Sequence, residues 1–233
     1  MTDSIAVIAG VGPGLGASLV RQFAGAGMTV VAAARNATQL TGLKEELGDR
    51  VHFHDCDLTS EQAVTGLFER VDSLGNLEAA IYNAGTFRRA RIVDIEPEDF
   101  EQCWRVGCFG GFLFARAAGK RLLAHKQGSI LFTGATASLR GGAGFANLAS
   151  PKFGLRAVAQ SLARELAPEG IHVAHVIIDG QIRSDQNEHL LQERGPDSLL
   201  EPDAIAAQYL HLHQQPPSTW TFELDLRPWT EPF

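Results

Sequence analysis

The sequence predicts one domain over residues 1–233: a doubly wound parallel α/β sheet of about seven strands with helices on both faces. Three observations predict it. Short apolar runs alternate with helix-period stretches along the whole chain. The first apolar run ends in glycines directly before a helix. No linker, repeat or low-complexity tract interrupts the 233 residues, a length ordinary for one α/β core.

Ile5 to Ala9 is the first strand. From Gly14 to Ala26, Leu15, Leu19, Val20 and Phe23 fall on one helical face. Thr29 to Ala34 is the second strand, and Thr38 to Leu47 a polar-faced helix. In Val51 to Cys56, Val51 and Phe53 oppose His52 and His54, a polar face that suits a sheet edge. Ser60 to Leu74 is helical, and Leu77 to Tyr82 is a strand stopped by Asn83-Ala84-Gly85. Pro97 to Leu123 reads as helix broken or bent near Gly107, Gly110 and Gly111. Ser129 to Phe132 is a strand, and Leu155, Val158, Leu162 and Leu166 stripe a long helix. Ile171 to Ile178, Pro202 to His213 and Thr219 to Leu226 complete the set as strand, helix and strand.

Composition narrows the function classes. The chain is 45% hydrophobic and 20% charged, and no run approaches the ~18 apolar residues of a membrane span. The start, MTDSIAVIAG, lacks a secretory signal pattern. Cys56, Cys103 and Cys108 form no CxxC pair, so free thiols in a reducing cytoplasm are expected. A net charge of −7 argues against nucleic-acid or anionic-membrane partners. His52, His54 and Cys56 alternate on one strand, but no later cluster closes a metal site. His172, His175, His211 and His213 read as surface or boundary residues.

Gly10, Gly14 and Gly16 stand where the first strand turns into the first helix. Glycine permits a tight turn, close approach of a pyrophosphate and close helix–strand packing. The N–H groups of the helix start then face an anion. In a parallel sheet this marks a Rossmann-like dinucleotide site, although turns use glycine for structure alone. The second strand ends in Ala34, Arg35 and Asn36, without the acid that binds the ribose hydroxyls of NAD. Arg35 suits a 2′-phosphate, so NADP(H) is expected over NAD(H); its other reading is a solvated strand end.

The spacing Gly10-x-x-x-Gly14-x-Gly16 resembles the short-chain dehydrogenase/reductase family, as do Asn83-Ala84-Gly85, Asp57-Leu58, Lys152, Arg164 to Ala167 and Gly170 to Val173. The resemblance implies an oxidoreductase with Gly10, Gly14, Leu15, Gly16, Arg35, Asn36, Asp57, Leu58, Asn83, Ala84, Gly85, Lys152 and Gly180 at the cofactor. It also implies a small-molecule substrate and a homodimer or homotetramer.

The family carries an active-site Tyr-x-x-x-Lys pair, a serine thirteen residues before the tyrosine, and an asparagine on an earlier helix. Lys152 fits the lysine, but Leu148 stands at the tyrosine, Ala135 at the serine and Gly107 at the asparagine. Phe145 occupies the alternative tyrosine position seven residues before the lysine. The chain's 2 tyrosines, Tyr82 and Tyr209, lie on a core strand and a late helix. Small residues at 107 and 135 would leave room for a bulky substrate. Asp179, before Gly180, reads as a proton donor or as a loop hydrogen-bonding residue, the latter favoured. Arg88, Arg89 and Arg91 border the expected cleft or are simply solvated, and residues 184–200 form a possible lid. Two functions remain: an NADP(H)-dependent carbonyl/alcohol oxidoreductase with a degenerate site, or a non-catalytic NADP(H)-binding module.

Overall fold

The computed structural model describes residues 3–36 and 40–231. The predicted helix start at Thr38 lies outside them. Seven strands form one parallel sheet in the order β3-β2-β1-β4-β5-β6-β7. They are β1 (Asp3–Ala9), β2 (Thr29–Ala34), β3 (Val51–Asp55), β4 (Gly75–Tyr82), β5 (Ser129–Thr133), β6 (His172–Ile178) and β7 (Glu223–Leu226). The helices are α1 (Leu15–Gly25), α2 (Thr41–Leu47), α3 (Glu61–Asp72), α4 (Pro97–Trp104), α5 (Gly110–His125), α6 (Ala146–Leu166), α7 (His189–Arg194) and α8 (Pro202–Gln214). The sheet order reverses between β1 and β4, opening the crevice where doubly wound folds bind ligands.

Alternation within strands builds two cores. Ile5, Val7 and Ala9 of β1 point to one face with α3, α5 and α6, while Ala6 and Ile8 point to the other with α1 and α8. Each large side chain fully buried there contributes roughly 1.5–3 kcal/mol. The edge position predicted for β3 is observed. α3 starts where Ser60 accepts the Ala63 N–H at 3.3 Å, a side-chain N-cap.

Two sequence expectations change here. The break predicted near Gly107 is a π-helical turn over Arg105–Phe109 that joins α4 to α5. Tyr82 supports it by donating from its hydroxyl to the Val106 carbonyl. The other change concerns His172 and His175, which are buried rather than at the surface. Their strand is interior because β7 pairs along its outer edge.

Candidate active site

The ends of β1, β4 and β5 meet at the crevice through a buried polar chain. Gly10 holds a left-handed φ of +85°, and a Cβ there would lie 2.5 Å from the Ala84 backbone. This packing brings the Asn83 side chain onto Gly10, where Nδ2 donates to the carbonyl at 3.0 Å. Thr133 Oγ1 donates to Asn83 Oδ1 at 3.0 Å. With that proton committed, the Tyr209 hydroxyl donates to Thr133 Oγ1 at 2.7 Å. Lys152 Nζ, buried on α6, donates to the Thr133 carbonyl at 2.6 Å. Burial lowers its pKa to about 8. A Cβ on Gly85 would lie 3.8 Å from Lys152 Nζ, so the lysine faces the Asn83-Ala84-Gly85 turn.

Three cavities line the carboxyl ends of the strands. The first, about 280 Å³, is bordered by Gly10, Arg35, Asp57, Leu58, Asn83 and Gly85, among others. Asp57 accepts the Thr59 backbone N–H and hydroxyl, which hold its carboxyl below the usual range. The second, about 540 Å³, lies against Pro13 and Gly14. No side chain caps α1 at Gly14, and a Cβ on Gly14 would meet nothing within 4 Å. The third, about 430 Å³, contains Ala135, Thr136, Phe145, Leu148, Asp179 and Gly180.

Most of the site residues predicted from sequence thus lie at the carboxyl-terminal ends of the strands, divided among these cavities. Ala84 also lines the first cavity. Gly16 instead packs the helix: a Cβ there would lie 2.7 Å from Val11 Cα. Leu15 is buried in the core, so only its backbone faces the turn. Asn36 is exposed beside Arg35. Arg88 pairs with Asp99, and Arg89 lies over the Phe145 ring with 5.3 Å to its centroid.

Several expectations are sharpened. The room expected at Gly107 is absent, because a Cβ there would lie 2.7 Å from Pro151 Cβ. Pro151, one residue before Lys152, fills that place, a signal the sequence carried unread. Tyr82 and Tyr209 are both fully buried with pKa values raised by desolvation. Asp179 accepts from the Thr136 hydroxyl and pairs with Arg227 at 2.9 Å, the loop-binding role favoured from sequence. Ser138, also near, is fully buried and accepts the Ala135 N–H at 3.1 Å. Among the described residues, no group of three or more His, Cys, Asp or Glu side chains is placed to hold a metal ion. Likewise none of their helices is long and apolar enough to cross a membrane.

Comparison with known proteins fits this geometry. The model of the short chain dehydrogenase family matches residues 4–195. The chain belongs to that family. A short-chain dehydrogenase from Rhodopseudomonas palustris is 41% identical, with a TM-score of 0.86 over 97% of this chain and 99% of its own. A 3-oxoacyl-(acyl-carrier-protein) reductase from Rickettsia bellii is 28% identical over 194 residues, 83% of this chain and 79% of that protein. A metagenomic short-chain oxidoreductase in complex with NADP shares the fold at 24% identity and a TM-score of 0.84, covering 98% of both chains.

Proposed function

We propose that this short-chain dehydrogenase is an NADP(H)-dependent oxidoreductase acting on a carbonyl or alcohol, with a degenerate proton-transfer site. The observation that carries the reading is the convergence of Gly10, Asn83 and buried Lys152 at the crevice, with Arg35 at its rim. The turn fits a dinucleotide in its own geometry: Gly14 is open and uncapped, while Gly10 and Gly16 draw strand and helix together. The metagenomic oxidoreductase sharing this fold was solved with NADP, which agrees with the expected preference.

When bound, the nicotinamide supplies or takes up the hydride that interconverts carbonyl and alcohol. The glycine turn and the start of α1 would hold the phosphates, Arg35 and Asn36 the 2′-phosphate end, and Asp57, Leu58 and Ala84 the adenine side. Asn83 fixes the Gly10 carbonyl, Lys152 would present an ammonium to a ribose, and Gly180 and the third cavity would receive the reacting end. Leu148 and Ala135 stand there in place of a tyrosine and a serine, so the proton that completes the alcohol after hydride transfer would come from water entering this cavity or from the substrate itself, not from a side chain at those two positions. Losing a positioned general acid typically costs ~10²–10⁴ in rate. The same two residues favour a second reading, an NADP(H)-binding module without turnover.

The deciding experiment titrates wild type and R35D with NADPH and NADH by fluorescence, then assays turnover on carbonyls and alcohols. NADPH should bind more tightly than NADH, with R35D losing NADPH selectively; equal losses reject the 2′-phosphate role. Turnover supports the oxidoreductase, and binding without turnover supports the module. Carbonyl reduction that appears only in L148Y/A135S identifies the missing hydroxyls as the deficit.

A further inference from the structure

The cavity beside Pro13 and Gly14 is also lined by Arg183, Asp185, Glu188 and Glu201. Three carboxylates and one guanidinium therefore border the turn assigned above to a pyrophosphate. Arg183 spans two of them: Nη1 donates to Glu201 at 2.9 Å, and Nη2 donates to Glu188. Its backbone is anchored, since Arg183 N–H donates to the Leu200 carbonyl at 2.9 Å and Leu200 N–H to the Gln181 carbonyl at 2.9 Å. An Ile182–Leu200 bridge reinforces this base, from which the loop of residues 184–199 emerges.

The two glutamates are not equivalent. Glu201 precedes α8, which packs on the core through Ile205, Ala206 and Tyr209. Glu188 belongs to the loop itself, just before the short α7; both carboxylates are about half exposed, at 55% and 53%, so the difference lies in the element that anchors each. An exposed ion pair is weak, whereas a guanidinium–phosphate contact is among the stronger polar interactions. An anion at the glycine turn therefore competes on favourable terms for the Glu188 side of Arg183.

We propose that Arg183 is a phosphate contact for the nucleotide and that Glu188 is its placeholder, exchanged for phosphate on binding while Glu201 keeps the guanidinium in place. The inference rests on the nucleotide reading and deepens it, adding a contact outside the glycine turn and a carboxylate that opposes binding. Counter to simple loss-of-contact expectations, removing Glu188 should improve the site.

The test is a double-mutant cycle read by NADPH fluorescence titration, with inorganic pyrophosphate titrated in parallel by calorimetry on the same proteins. R183Q should weaken NADPH binding about tenfold or more. E188Q should tighten it roughly two- to fivefold, and R183Q/E188Q should match R183Q. A gain from E188Q that persists in R183Q marks general charge repulsion and overturns the exchange. NADPH binding indifferent to both changes overturns the contact and leaves the nucleotide reading intact. Pyrophosphate binding with the expected pattern but no NADPH binding does the reverse. Binding of neither probe by folded wild type, checked by circular dichroism, overturns both.

Discussion

His175 shows how far one side chain can depart from its sequence reading. It is fully buried on β6, with Nδ1 donating to Glu223 at 3.1 Å and Nε2 without a partner. Glu223 in turn accepts both Nε and Nη2 of Arg156, at 2.6 and 2.8 Å. Burial outweighs the carboxylate and lowers the His175 pKa from 6.5 to about 4. Between those values the unfolded chain binds a proton that the folded chain does not, so stability falls as pH drops from 6.5 to 4. H175N keeps a donor for Glu223 and removes that titration. Thermal melts across this window should show a flatter pH slope for H175N than for wild type; parallel slopes reject the assignment. No local pattern around His175 reports this, because Glu223 lies 48 residues away in the chain.

Among elements, the continuous run of α4, the π-turn and α5 has most bearing on the site. The sequence announced a disturbance through Gly107, Gly110 and Gly111, each pressed against a neighbour. A Cβ at Gly110 would meet Tyr82 Oη at 2.6 Å, and one at Gly111 would meet Leu155 Cδ1 at 2.3 Å. Gly107 is the decisive contact, because Pro151 seats α6 there, one residue from Lys152. G107A should cost about 1–3 kcal/mol through overpacking, measured by denaturant unfolding. P151G should relieve part of that cost in the double variant, because it removes both side-chain carbons that the new Cβ would meet, Cβ at 2.7 Å and Cγ at 3.2 Å. Additive penalties would show that the contact is not shared. The apolar period gave the helices; their shared contact lay outside any local window.

The whole molecule leaves apolar side chains on the outward faces of the two helices beside the site. Phe112 of α5 and Phe153 of α6 are exposed by 41% and 44%. The family resemblance implied a homodimer or homotetramer, and these faces are where we place it. Sedimentation should give a mass above the 25.1 kDa of one chain, and F112D/F153D should lower it. A monomeric wild type rejects the placement.

By itself the sequence determined the strand and helix order apart from the short α7, which falls in the stretch expected as a lid, together with the glycine turn, Arg35 at its rim and the lysine on α6. These are local properties, set by periodicity and by what glycine alone permits within a few residues. Tertiary structure decided which side chains meet. It placed Pro151 in the space of Gly107, tied Asp179 to Thr136 and Arg227, and joined Asn83, Thr133 and Tyr209 into one hydrogen-bonded chain. It also set Arg183 between two carboxylates. Most of these contacts join residues distant in the chain, and they exist only once the sheet has brought its strand ends together and burial has made every unmet polar group costly.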